Sequence, residues 1–386
     1  MASKISPEDI AKIAMKTTVP VVLKDFVIPW KSVGSSLQEF CEIFDKLEPL
    51  GVSFDRAPVK HGSCPQWEFY REKTPNMSLS HFMKFCSSQQ MKDYWMSYSY
   101  KSLGDLPEEI GREIDFTPMG FPEIQSDITM WLGSQGAHTP CHKDSYGRNI
   151  VVQIFGRKRW ILFSPEVDLK PTRCPYEESS IYSNLNFFSP EDWSDFKEVT
   201  QDAHIFTLEP GDVLIVPPKW WHYVENLEPA LTLNAWIPLQ EDRKAQIQEC
   251  FTKVIIFQHL HSSSDFKEYL INPNEQETFE QDPHTFLRNH LKLLNYLEGA
   301  EPAGKPKSSL SDAEFRDLIE KNTTVSFVEK SSIQDFLTVL EKNAERFDPN
   351  RRFEESNEMI WMRKYIDSVC HPDVIEQISR KHKMLG

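Results

Sequence analysis

Between about residue 126 and residue 240 the chain is a succession of short apolar runs cut by Gly, Pro and Asp: ITMWLG, NIVVQIFG, RWILFSP, HIFTLEPGD, VLIVP, HYVENLEP and LTLNAWIP. Such β-branched and aromatic runs, bounded by turn residues, predict the strands of an antiparallel sandwich or barrel. The preceding residues, 1–125, mix periods. An apolar run at Val19–Leu23 predicts a strand, while Leu37–Leu47 and Leu79–Cys86 repeat at helical spacing, giving an α+β lead-in. After Pro238 the pattern turns helical, near Gln246–Leu260 and again at Thr285–Leu297, where Phe286, Leu287, Leu291, Leu294 and Leu297 share one face. Residues 241–297 therefore read as a helical extension. Residues 298–310 (EGAEPAGKPKSSL) offer almost nothing to bury and read as a flexible linker. Residues 311–386 read as C-terminal helices. The last begins at Pro372, a favoured first position, and ends in basic Arg380–Lys383, which suits a helix C-terminus. The fold class expected is α+β.

Composition narrows the function classes. With 386 residues, 39% hydrophobic and 12% aromatic, the chain can bury a sizeable core. No apolar stretch approaches the roughly eighteen residues of a membrane helix, and the N-terminus has no apolar signal core, so a cytoplasmic or nuclear protein without a membrane segment is expected. Seven cysteines, none in a C-x-x-C pair, signal neither a disulfide framework nor a structural zinc site. The net charge of −15 argues against nucleic acid as the main partner.

The candidate chemistry begins with His142-Lys143-Asp144. In a strand, positions i and i+2 share a face, so both side chains could grip one ion. His222 follows the apolar run Val213–Val216, late enough for an antiparallel chain to return beside the first strand. Two imidazoles and a carboxylate occupying one face of an octahedral ion are the donor set of non-haem iron(II) oxygenases. Zinc remains the competing metal, because N/O sites generally bind Zn²⁺ more tightly than Fe²⁺. H-x-D is also a short pattern that can be an ordinary surface pair. Lys158, Asn149 and Asn234 stand at or inside neighbouring apolar runs, where each taken alone is a solvated charge or a strand-edge amide. Cys141 should point away from any metal by alternation, and Trp220 and Trp221 read as core and cleft wall.

Five blocks occur in order: GAHTPCHKD at 136–144, NxxxQxxGRKRW at 149–160, LxPGD at 208–212, PxxWWHYV at 217–224 and TLNAW at 232–236. Together they resemble the JmjC family of 2-oxoglutarate oxygenases, over about residues 15–240. The phrases GSQGAHTPCHKDSYGRN, PTRCPYEESS, WWHYVENLEP and IDSVCHPDVIEQI look especially like the branch named for association with heat-shock protein beta-1.

The resemblance implies a double-stranded β-helix (cupin or jelly-roll barrel) at 126–240, with His142, Asp144 and His222 as iron(II) ligands. It implies Lys158 and Thr139 as partners of the C5 carboxylate of 2-oxoglutarate, with Asn149 and Asn234 near its C1 end. A tyrosine completes the clamp, and Tyr100 is chosen over Tyr98, which shares its strand parity. Pro140 interrupts the ladder between Thr139 and His142, so parity says nothing about the threonine. The activity implied is an O₂-consuming dioxygenase that hydroxylates a side chain of a partner protein. Lysine demethylation, RNA-base hydroxylation and a catalytically silent scaffold binding a small heat-shock protein are the alternatives. A homodimer through the C-terminal helices is a further expectation.

Overall fold

The computed structural model describes residues 5–62, 71–124, 127–260, 282–306, 308–351 and 355–385. Its strands are β1 (Val21–Leu23), β2 (Val52–Pro58), β3 (Glu72–Met77), β4 (Tyr94–Ser102), β5 (Ile128–Gly133), β6 (His138–Asp144), β7 (Arg148–Phe155) and β8 (Lys158–Phe163). There follow β9 (Pro171–Glu177), β10 (Ser180–Ser183), β11 (His204–Leu208), β12 (Val213–Val216), β13 (Trp221–Asn226), β14 (Ala230–Ile237) and β15 (Val325–Phe327). They form two antiparallel sheets, one ordered β15-β1-β12-β7-β14-β5-β4-β2-β3 and the other β11-β8-β13-β6-β10-β9. Neighbours in space are distant in sequence: β7 lies between β12 and β14, and β13 between β6 and β8. This crossed pairing is the jelly-roll barrel, and it returns His222 directly opposite His142.

Alternation along the strands decides what each face does. In β7 and β14, Ile150, Val152, Leu231, Leu233 and Ala235 point out of the barrel into a core shared with the N-terminal helices. One of these, Leu37–Leu47, is started by Ser36, whose hydroxyl accepts from the Glu39 N–H at 3.1 Å, and it buries Phe40, Cys41 and Phe44. Each such fully buried side chain contributes about 1.5–3 kcal/mol. On the small sheet, the outward residues Cys141, Ile161, Phe163, Trp221 and Tyr223 pack against Phe336 and Leu340 of the helix Ile333–Ala344. The helices Asp242–Leu260, Pro283–Gly299 and Asn357–Val369 pack over β9: Tyr176 and Cys174 meet Ile256, Phe257, Phe286 and Ile366. Both outer faces are thus covered, and between the sheets Leu162, Leu214, Val216 and Val224 form a further apolar cluster, beside which the polar cavity lies.

The stretch after the helix Pro283–Gly299 is fastened at two points, the first being the Arg243 guanidinium, which donates to the Ala300 and Glu301 carbonyls at 2.7 and 2.6 Å. Lys305 donates its N–H to the Pro238 carbonyl at 2.8 Å, accepts from the Gln240 N–H at 3.0 Å, and pairs with Glu123 at 2.7 Å. Gly304 permits this approach: at φ +98° an added Cβ would lie 2.7 Å from the Pro238 backbone. The segment read as a linker is therefore anchored to the end of β14. The described cysteines are free thiols, and Cys64 lies outside the described residues.

Candidate metal and co-substrate site

Thr139, His142, Asp144, Asn149, Lys158, His222, Asn234 and Tyr100 all line one cavity of about 300 Å³ inside the barrel. For the strand residues the cause is parity. His142 and Asp144 face in while Cys141 and Lys143 face out, His222 faces in while Trp221 faces out, and Lys158 shares its face with Trp160. Two bulges correct the parity count. Across β6 and β13, His142 pairs with His222 but Thr139 pairs with Val224, so two residues, Pro140 and Cys141, oppose the single Tyr223. Pro140, which has no N–H to give the ladder, sits in that extra step, and Thr139 turns back into the cavity. Across β4 and β5, Tyr98 pairs with Leu132 and Lys101 with Met130, with Tyr100 in the bulge at φ +60°. Tyr98 and Tyr100 therefore do not share a face. Tyr98 packs in the core against Phe44 and Phe54, whereas Tyr100 lines the cavity edge-on to Trp131 at 5.1 Å.

One candidate nitrogen or oxygen from each of His142, Asp144 and His222 lies within 4.8 Å of the others. Backbone carbonyls fix both tautomers: His142 Nδ1 lies 2.9 Å from the Pro140 oxygen and His222 Nδ1 lies 3.0 Å from the Trp220 oxygen. A carbonyl only accepts, so each Nδ1 carries the proton and each Nε2 keeps its lone pair. Asp144 is tethered as well, its Oδ2 accepting from Trp236 Nε1–H at 2.9 Å. Its Oδ1 stands 3.7 Å from His142 Nε2, too long for a hydrogen bond and suited to a shared ion between them. The donor set of two neutral imidazoles and one carboxylate fits a divalent cation.

The other end of the cavity is cationic. The Lys158 ammonium is buried, donating to Thr232 Oγ1 at 2.7 Å, with the Trp131 carbonyl at 3.5 Å. Among the described residues no carboxylate lies within ion-pair distance of it, and burial pulls its pKa down to about 7. A buried ammonium without a counter-charge fits an anionic group of a ligand. Between the two ends an amide relay sets donor directions. Trp131 Nε1–H donates to Asn234 Oδ1 at 2.7 Å, and Asn234 Nδ2 donates to Asn149 Oδ1 at 2.9 Å. Both amide oxygens are taken, so Asn149 offers N–H donors to whatever fills the cavity.

Trp220 and Trp221 are buried in the core as expected, but neither lines the cavity, so the cleft-wall half of that expectation is corrected. Trp221 is buried on the outward face with its N–H on the Val167 carbonyl, and Trp220 is buried with its N–H on the Thr18 carbonyl. The wall tryptophans are Trp131, Trp160 and Trp236, which sequence reasoning missed. Two of them, with Thr232, were within reach of parity: Trp160 is i+2 from Lys158, and Thr232 and Trp236 flank Asn234 at i−2 and i+2. Tyr146 and Ser179 reach the cavity from turns, where no periodic signal exists, and Gln246 from the helix Asp242–Leu260, whose helical pattern does not tell where it docks.

A family model described as a cupin-like domain matches residues 7–241. The chain is 36% identical over 270 residues to HSPB1-associated protein 1 of Mus musculus, covering 65% of this chain and 55% of that protein. It is 30% identical over 345 residues to the HSPB1-associated protein 1 homolog of Danio rerio, covering 83% and 75% respectively. A shorter likeness, 32% over 188 residues, covers 46% of the chain and 42% of lysine-specific demethylase JMJ30 of Arabidopsis thaliana. The chain thus spans about half the length of the mammalian HSPB1-associated relatives it matches.

Proposed function

The chain belongs to the cupin-like domain family, and from that premise we propose that it is an iron(II)- and 2-oxoglutarate-dependent dioxygenase that hydroxylates a side chain of a partner protein. The observation that carries the reading is the pairing, in one cavity, of three candidate metal donors with a buried ammonium that has no counter-charge among the described residues. When bound, iron(II), 2-oxoglutarate and O₂ together supply a C–H hydroxylation, the co-substrate leaving as succinate and CO₂. His142, Asp144 and His222 would hold the metal, and three coordination positions would stay open. Lys158 and Thr139 would fix the distal carboxylate, with Tyr100 beside them, while the Asn149 and Asn234 N–H groups would orient the end near the metal. The barrel wall places the target bond and keeps bulk water out.

The test is turnover. Purified protein with iron(II), 2-oxoglutarate and ascorbate should release succinate above background, rising with the true substrate. No succinate with any candidate protein would sink the proposal. Lysine demethylation, suggested by the demethylase relative, would release formaldehyde alongside succinate. A second reading takes up the printed name of the relatives: association with a small heat-shock protein, with the barrel as scaffold. A His142→Ala/Asp144→Ala double variant that kept its cellular role would favour the scaffold.

A further inference from the structure

We infer that Trp236 is a positioning residue that restricts Asp144 to one-oxygen coordination of the metal; the inference rests on the metal reading above. A carboxylate can ligate with one oxygen or two. Here Oδ2 is committed to the indole N–H of Trp236 at 2.9 Å, and Oδ1 faces the Nε2 of His142. An indole N–H is a donor only, so the contact has a single sense. The tether crosses the barrel, from β14 in the large sheet to β6 in the small one. Its anchor is held in place: Trp236 sits opposite Asn149, beneath Gly147 in the β6–β7 turn. A Cβ added at Gly147 would come within 3.3 Å of the Trp236 Cβ, and φ there is +82°, so glycine makes the space the indole occupies.

The consequence concerns how many positions the protein leaves open. With one oxygen from Asp144, three positions of an octahedral ion remain, enough for a chelating keto acid and one further small ligand. With both oxygens bound, one of those positions is lost. Trp236 therefore preserves an open position while adding a charge-assisted hydrogen bond that orients the ligand.

The experiment uses Mn²⁺ as a redox-stable probe on the full chain. Trp236→Phe removes the N–H and keeps most of the ring. It should weaken Mn²⁺ binding about 10- to 100-fold and lower the water-proton relaxivity per bound ion. Trp236→His, which retains a ring N–H, should recover part of the loss. The same Phe substitution made on Asp144→Ala should cost nothing further, because its target is gone. Equal loss in both backgrounds would mean simple packing and would overturn the inference, as would native affinity in Trp236→Phe. If the unsubstituted protein bound no Mn²⁺ at all, the metal reading would fall first and this inference with it.

Discussion

Replacing Lys158 with methionine should make the ligand-free protein more stable and nearly blind to 2-oxoglutarate. The ammonium is buried on hydroxyl and carbonyl partners, with its pKa drawn from 10.5 to about 7 by desolvation. An unfolded chain would hold that proton up to 10.5, so between pH 7 and 10.5 the native state binds fewer protons and its stability rises with pH. At pH 7 the linked penalty is about 4 kcal/mol, of which the hydrogen bond to Thr232 returns about 1. Methionine, similar in shape and uncharged, should therefore stabilise the fold by about 3 kcal/mol at pH 7 and about 1 kcal/mol at pH 9. Urea unfolding at the two pH values measures this directly. In the loaded state the sign reverses: a buried carboxylate without its ammonium costs about 2–5 kcal/mol, which weakens co-substrate binding by about 30-fold or more. Calorimetry with Mn²⁺ and 2-oxoglutarate reads that loss. In the native protein it should also show uptake of nearly one proton at pH 8, where free Lys158 is mostly neutral. A variant less stable than the native chain at pH 7, or one that binds 2-oxoglutarate unimpaired, would refute the reasoning.

Three other expectations follow from the same geometry. His222→Ala should lower Mn²⁺ affinity by about two orders of magnitude while leaving the circular dichroism spectrum intact; retained affinity would remove it from the ligand set. Tyr98→Phe, whose hydroxyl reaches the Asp105 carbonyl at 3.4 Å as its one hydrogen-bond partner among the described residues, should change stability by less than about 1 kcal/mol and leave 2-oxoglutarate affinity alone, whereas Tyr100→Phe should weaken that affinity several-fold. The opposite pattern would return the clamp to Tyr98. Glu225 is buried among Arg346 and the Tyr223 hydroxyl, so Glu225→Leu strands a guanidinium and should cost about 3–5 kcal/mol in urea unfolding; a loss below about 1 kcal/mol would mean the network is not a structural one.

Much of the site was legible because strands impose a two-residue period that survives burial. His142 with Asp144, and Lys158 leading its strand, needed only that rule and an antiparallel return. The helices Leu37–Leu47 and Leu79–Cys86 were legible to the residue, since Ser36 and Ser78 cap them and apolar residues repeat every three or four positions. What periodicity cannot express was missed. Pro140 and Tyr100 each sit in a step where the period breaks, so neither Thr139 nor the choice between two tyrosines could be decided by counting. The anchoring of Lys305 beside Pro238 depends on contacts between segments with no pattern of their own. Trp236 was overlooked for a different reason: as an apolar aromatic it reads as packing, and its N–H matters only because Asp144 is there to receive it.

The two bulges act on the barrel wall as shifts of reading frame. Upstream of Pro140 the strand is read in one phase and downstream in the other, so the segment ending at Thr139 and the segment beginning at His142 take their inward residues from different counts. An inserted or deleted residue on the upstream side would change which side chain faces the Lys158 end of the cavity while His142 and Asp144 kept their register. The step at Tyr100 gives the opposite wall the same independence. The candidate metal donors and the groups proposed for the far end of the cavity thus sit in separately registered stretches of the wall.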